Sequence, residues 1–365
     1  MSESKRLKIL FKQQLGDLAL DVDLNVPMKG ITAIFGRSGA GKTSLVNVLS
    51  GLTKPDQGEI KLGDRILYNS AKKIFLSPDK RKIGYVFQDA RLFPHYSVQG
   101  NLNYGVKVPD EAHFNDVVKL LGIEPLLHRY PSSLSGGEKQ RVAIGRALLT
   151  KPDMLLMDEP LASLDMPRKQ ELMPYLERLA KSVNTPIIYV THSLDEILRL
   201  ADSMVMLNQG KVVISGHVNS VWSSPEMRPW LPAKEQSSLL SARVNYNHPK
   251  YALTQVMLSH NSFLWVSRLH QQRGEWVRVR IFSNDVSIAR EMPLQTSIRN
   301  ILAARVDKIH YAEDERVEVK LRVGETHLWA NITAWAADEL DLKIGEQVYA
   351  QIKGVNVTKD DLAQP

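Results

Sequence analysis

The stretch ITAIFGRSGAGKT, residues 31–43, decides the architecture. Ile31 to Phe35 is an apolar run of strand length, and it stops at the loop Gly36, Arg37, Ser38, Gly39, Ala40, Gly41 before a helical pattern begins near Gly41. Strand, glycine-rich loop and helix in that order are the context that GxxxxGK(S/T) requires. The glycines let the backbone bend closely around phosphate oxygens and aim N–H groups at them, and the helix N-terminus adds a positive dipole end. Lys42 supplies a cation for β and γ phosphates. Thr43 offers a hydroxyl to Mg²⁺, whose octahedral shell is otherwise filled by phosphate and water. The alternative, a glycine-rich turn with a chance lysine, does not account for the flanking strand and helix.

Further along, MLLMDEP at residues 154–160 delivers two carboxylates at the polar end of an apolar strand. Asp158 would reach Mg²⁺ through a water, and Glu159 would orient and polarise an attacking water; phosphoryl transfer asks mainly for such positioning and charge neutralisation. Alone, the pair also reads as a solvated strand end. Between the two motifs stands LSGGEKQR, residues 134–141. It resembles the signature motif of ATP-binding cassettes. The resemblance implies a P-loop NTPase fold, with Ser135, Gly136 and Gly137 opening a helix toward the γ-phosphate of ATP held by a second copy, hence a head-to-tail homodimer with two shared sites. It also implies roles for three residues that are weak signals by themselves. Gln88, in YVFQDARLFPH, would contact Mg²⁺ and couple to membrane subunits. Asp165, in LASLD, would make a contact across the dimer. His192, in IIYVTHSLDE, would sense the γ-phosphate and help to place the water. Without the resemblance these three read as a surface amide, a helix N-cap and a structural histidine. Cassettes usually stack adenine on a ring in the strand region where this chain has Gln13, so Phe11 is the nearest candidate, and ordinary strand packing is the other reading of that ring.

From residue 7 to 210, apolar strands alternate with amphipathic helices, which predicts an α/β domain with a largely parallel sheet. At residues 223–238 the pattern breaks into SSPEMRPWLPAKEQSS, which reads as a linker. The expected division is a cassette over 1–235, a linker with a first β segment over 236–293, and a second β domain over 294–360. Alternating segments such as WVRVRIF, VEVKLRV and VYAQI make this tail all-β. It also repeats weakly: LLSARV resembles ILAARV, SFLWV resembles THLWA, and VRVRI resembles VYAQI, as two related barrel halves would.

TSIRNIL, ANITAWAADELDLKIGEQV and AQIKGVNV look like the molybdate-binding Mop, or TOBE-type, domain, a small OB-like barrel. With it, the whole chain is similar to the ATPase subunits of bacterial molybdate importers. A tetrahedral dianion wants neutral donors and one or two cations in a fixed cage; Ser297, Arg299, Asn300, Thr333 and Lys353 offer that chemistry. Ile298 stands where the motif usually has Ala, and Gly354 where Ser or Ala is common. The resemblance implies ATP and Mg²⁺ as cofactors and two copies of a transmembrane permease subunit as partners. It further implies a periplasmic molybdate-binding protein acting indirectly, and molybdate as a regulatory ligand of the tail.

Composition fits this picture. The 365 residues exceed what one core usually organises, and 43% hydrophobic with 24% charged residues describes a folded chain. Cysteine is absent, which excludes disulfides, thiolate metal sites and cysteine nucleophiles. No apolar run has signal-peptide or membrane-spanning length, so the expected place is peripheral, on the cytoplasmic face of the inner membrane. The net charge of +7 also suits a soluble cassette acting on nucleic acid or ribosomes, but such proteins usually carry two cassettes or a long coiled-coil insertion, and no nucleic acid partner is expected. An importer ATPase for another anion or for sugars is the nearer alternative. A non-enzymatic oxyanion store built on the tail would not need the intact phosphate loop.

Overall fold

The computed structural model describes residues 6–183, 185–259, 262–311 and 316–353. The chain divides into two compact units, Met1–Gly216 and His217–Pro365.

The first unit is built on eleven strands: β1 (Arg6–Leu15), β2 (Leu18–Pro27), β3 (Ile31–Phe35), β4 (Gln57–Leu62), β5 (Arg65–Asn69), β6 (Ile74–Phe75), β7 (Ile83–Val86), β8 (Met154–Asp158), β9 (Ile187–Thr191), β10 (Ser203–Asn208) and β11 (Lys211–His217). Their order in the sheet is β6-β5-β4-β1-β2-β11-β10-β3-β9-β8-β7. From β10 to β7 every pairing is parallel. The expectation of a largely parallel sheet holds for that half. From β6 to β2 the strands are antiparallel, because β1 and β2 alternate buried and exposed residues and so cover one face only. In β3, β8 and β9 every residue is buried, as strands covered on both faces must be.

Among the described residues, seven α-helices accompany this sheet: α1 (Lys42–Ser50), α2 (Pro78–Arg81), α3 (Val98–Asn103), α4 (Glu111–Leu121), α5 (Gly136–Leu149), α6 (Met166–Ser182) and α7 (Leu194–Leu200). Successive side chains of a strand point to opposite faces, and β8 shows it. Leu155 and Met157 join the core made with α4, α5 and α6. Met154 and Leu156 join the core made with α1, β1 and β2.

The second unit begins with α8 (Val218–Trp222) and carries β12 (Ser237–Asn247), β13 (Leu253–Ser259), β14 (Ser262–Ser267), β15 (Trp276–Phe282), β16 (Val286–Ala289), β17 (Asn300–Tyr311), β18 (Arg316–Val323), β19 (Thr326–Thr333), α9 (Ala334–Glu339) and β20 (Gln347–Ile352). Two sheets, β14-β13-β12-β15 and β16-β20-β17-β18-β19, share one apolar core. Read in the same direction, β12 corresponds to β17, β13 to β18, β14 to β19 and β15 to β20. The weak internal repeat is therefore a repeat of topology, with β16 added at one edge. The linker expected at residues 223–238 is instead folded into this unit. Trp222 and Met227 are fully buried, Trp222 donates to Ser237 Oγ, and Arg228 pairs with Glu318 at 2.7 Å. Proline, serine and charge here are bonded into the two-sheet unit, which starts at His217 and not near residue 235.

Candidate nucleotide site

Parallel strands in one sheet bring the loops at their C-terminal ends to one edge. Phe35 stands opposite Thr191, Val190 opposite Asp158, and Val86 opposite Met157. The residues just beyond these ends are Gly36, His192, Glu159 and Gln88, which the sequence scatters over more than a hundred positions and the sheet order β3-β9-β8-β7 sets side by side.

The phosphate loop is held close on both sides. A side chain at Gly36 would place its Cβ 2.3 Å from the Leu207 carbonyl, and Gly41 has φ 99° with Leu20 2.5 Å from the same hypothetical atom. Ala40 O accepts from Gly210 N, which ties the loop to the β10-β11 turn. Lys42 is buried and donates to Gly36 O at 2.9 Å and Arg37 O at 3.1 Å, so its ammonium lies inside the loop that it would neutralise. Thr43, at the start of α1, donates to Asp158 Oδ1 at 3.4 Å.

Glu159 lies between Lys42 and His192. Its Oε1 is 3.8 Å from Lys42 Nζ, and its Oε2 is 3.3 Å from His192 Nδ1. Its backbone adopts φ 47°, the left-handed region that non-glycine residues rarely enter. The strand ends in that turn, with Glu159 N donating to Val190 O, and the turn redirects the carboxylate over the loop. Asp158 is buried, which raises its carboxyl above the usual aspartate value; the Thr43 bond pulls it down, the Glu159 charge raises it, and a bond from Tyr85 lowers it. The Tyr85 hydroxyl lies 3.4 Å from Asp158 Oδ2 and 3.2 Å from Asn47 Oδ1 on α1. Burial, and then the Asp158 charge, raise the phenol above its ordinary value.

Ser135 caps α5: its hydroxyl accepts from Glu138 N, and Glu138 accepts from Ser135 N. The Ser135 proton remains available to a ligand in front of the helix. At Gly136 a Cβ would meet Leu164 of the LASLD loop at 2.9 Å, and at Gly137 the space is open. Asp165 is the N-cap of α6, accepting from Arg168 N. Gln88 is exposed and has no partner among the described residues. The loop that carries it is gripped by α5 and α3. Gln140 donates to Phe87 O, Arg146 donates to Ala90 O and Arg91 O, and the Asn101 amide both donates to Phe93 O and accepts from Phe93 N. At the other end of α1, Arg81 is fully buried and donates to Val48 O, Leu49 O and Leu76 O, and burial pushes it down to about 10. It neutralises the carbonyl end of the helix whose amino end faces the phosphates.

Tyr85, Arg81, Gln140 and Arg146 escaped the sequence reading. Three of them bond to backbone carbonyls, and a carbonyl partner leaves no trace in residue identity. The proposed adenine platform is corrected: Phe11 is 1% exposed and packs in the core with Leu45 and Leu49. It shares strand parity with Leu7 and Ile9, so it faces inward. Gln13, on the same face, is also buried, and its Oε1 has no partner among the described residues.

In the tail, the oxyanion set is only partly brought together. Asn300 pairs in register with Ile352, the neighbour of Lys353. Asn300 is buried, however, and its amide both accepts from Trp265 N and donates to Trp265 O, so it is a strut between the two sheets and is corrected as a ligand. The Thr333 hydroxyl accepts from Ala336 N and caps α9. Ser297, Arg299 and Lys353 are exposed. Gly354 lies outside the described residues.

The comparisons with known proteins agree with this geometry. The ABC transporter family model matches residues 19–162, and the TOBE domain model matches residues 296–358. The molybdenum import ATP-binding protein ModC of Photobacterium profundum is 77% identical over 98% of this chain and 100% of its own length. That of Shewanella oneidensis is 55% identical over 98% of this chain and 99% of its own. Among solved structures, cbiO1 from Clostridium perfringens, part of the ABC transporter complex cbiONQ, superposes with a TM-score of 0.53 at 29% identity, covering 61% of this chain and 93% of that one. With a phosphate loop, a carboxylate pair, a histidine and a signature helix set on one cassette fold, and with relatives matched from end to end, the chain belongs to the ABC transporter ATPases and, within them, to the molybdenum import ATP-binding protein family.

Proposed function

We propose that two copies of this chain, apposed head to tail, bind ATP with Mg²⁺ between the phosphate loop of one and the Ser135–Gly137 helix start of the other. Hydrolysis there would drive two permease subunits that import molybdate delivered by a periplasmic binding protein. The observation that carries this reading is Glu159, turned over the phosphate loop and bracketed by Lys42 and His192.

The donor set fits Mg²⁺. Thr43 and Asp158 offer a hydroxyl and a carboxylate 3.4 Å apart, and among the described residues no cluster of three or more His, Cys, Asp or Glu side chains could hold a metal alone. A cation that keeps waters and substrate phosphates in its shell needs no more. When bound, it neutralises charge developing on the β and γ phosphates. Lys42 exchanges its two loop carbonyls for phosphate oxygens. Glu159 accepts a hydrogen bond from the attacking water and aligns it with the γ-phosphorus, while His192, 3.3 Å from Glu159, holds that carboxylate in place. Ser135 and the amides of Gly136 and Gly137 from the second copy complete the cage.

Gln88 connects this chemistry to the membrane. Next to its loop, Phe93, His95, Tyr96 and Tyr104 form a ring cluster in which Tyr96 and Tyr104 are exposed. Such a patch suits a permease segment, since exposed aromatic clusters anchor interfaces. No helix among the described residues is long and apolar enough to cross a membrane; in this reading the permease subunits hold the chain at the cytoplasmic face. The tail responds to cytoplasmic molybdate by favouring a dimer that cannot close on ATP. The reading assigns no nucleic acid partner.

The test is ATPase activity of the chain reconstituted with its permease and binding protein, with molybdate, tungstate, sulfate or maltose as cargo. Molybdate should stimulate turnover and maltose should not, and Glu159→Gln should retain ATP and lose turnover. Normal turnover in that variant sinks the assigned role. Equal rates with and without saturating molybdate on the cytoplasmic side sink the regulatory one.

A further inference from the structure

We infer that Arg305 and Arg322, with Gln347, form a binding site for a doubly charged tetrahedral oxyanion, distinct from the Ser297, Arg299 and Lys353 group. Arg305 on β17 stands directly opposite Arg322 on β18 and, on its other side, opposite Gln347 on β20; Arg322 in turn stands opposite His327 on β19. Register partners share a face, so two guanidinium groups, an amide and an imidazole lie in one row across four strands. Like charges directly opposite one another in an antiparallel pair are destabilising. Among the described residues, neither arginine has an ion pair or hydrogen bond that would relieve them.

Two carboxylates of the neighbouring segments have other partners. Asp307 lies 3.6 Å from Lys320 and 3.8 Å from His327, and Glu346 pairs with Arg290. Burial, with Lys320 and Arg322 adding to it against Asp307, holds His327 below its ordinary value. The two arginines and Gln347 line a cavity of about 320 Å³ whose remaining walls are Ala303, Ala304 and Gly324, small residues that leave room and add no negative charge. Two planar forks with a neutral amide match an anion of charge two with four oxygens, which can accept from both at once. A monovalent halide has neither the charge nor the directions to use them.

The biological identity of the anion rests on the molybdate reading above, but the site is tested on the chain alone. Binding of molybdate, sulfate and phosphate to the full chain is measured by calorimetry and thermal shift in chloride buffer, for the wild type and for Arg305→Gln, Arg322→Gln and, at an exposed arginine away from this row, Arg273→Gln. We expect saturable binding of at least one of the three anions and at least a tenfold loss of affinity in both Arg305→Gln and Arg322→Gln, with Arg273→Gln unchanged. Removing one arginine also removes the repulsion, so Arg322→Gln should melt about 2 °C higher than wild type without anion and lose the anion-induced shift. A preference for molybdate or equal binding of all three supports the site. Binding of none, unchanged affinity in both variants, an equal loss in Arg273→Gln, or a lower anion-free melting temperature in Arg322→Gln overturns it. Failure of molybdate to alter ATPase rates in the reconstituted transporter would remove the regulatory reading and leave this binding result standing.

Discussion

His192 and Asn300 are both polar residues singled out by a motif at a strand boundary, and the structure treats them in opposite ways. His192 follows β9 and is largely exposed at the sheet edge, with Nδ1 3.3 Å from Glu159. Asn300 opens β17, is buried, and satisfies the backbone of Trp265 with both ends of its amide. The difference follows from the two kinds of sheet. Parallel strands need crossover connections, so the ends at one edge open into loops that are free to carry chemistry. In the tail the strands are antiparallel and two sheets close on one core, so a polar side chain reaching inward must bond to the opposing backbone or remain unsatisfied.

The comparison can be broken first at the nucleotide site. Glu159→Gln is expected to lower turnover about a thousandfold while ATP stays bound, whereas Lys42→Ala should weaken ATP binding itself; single-turnover assays and nucleotide binding separate the two. In the tail, Asn300→Ala should reduce stability by about 2 to 3 kcal/mol, because Trp265 N and O would both lose their partner. Denaturant unfolding measures it, and a stable Asn300→Ala chain would show that the strut role is misassigned.

Smaller effects sharpen the contrast. Arg146→Met should lower kcat about tenfold with little change in the KM for ATP, since it loosens the Gln88 loop without touching the phosphate loop; a rise in KM with unchanged kcat would place Arg146 in binding. Phe11→Leu should leave the KM for ATP unchanged and lower stability by about 1 kcal/mol, as a core substitution does. A KM raised severalfold would restore the ring to the adenine site.

Much of the cassette was legible because its chemistry is written in local strings. GRSGAGKT needs its own strand and helix, and LSGGEKQR needs only the helix that it caps, so both could be read before any tertiary contact was known. Parity along β1 already placed Phe11 with Leu7 and Ile9 on the buried face, although distance from the phosphate loop had suggested otherwise. The region 223–238 misled for the opposite reason. Proline, serine and charge usually mark a solvated linker, but here Trp222, Met227 and Arg228 are buried, and Arg228 finds Glu318 ninety positions away.

By itself the sequence determined the phosphate loop, the two acidic residues, the signature helix and the repeating β tail, since each depends on residue identity and short-range periodicity. Tertiary structure alone decided which of them meet. It set β9 between β3 and β8, so that Glu159 is bracketed by Lys42 and His192. It closed the tail on Asn300, and it placed Arg305 opposite Arg322. Strand order and register are properties of long-range pairing, and no local pattern along the chain encodes them.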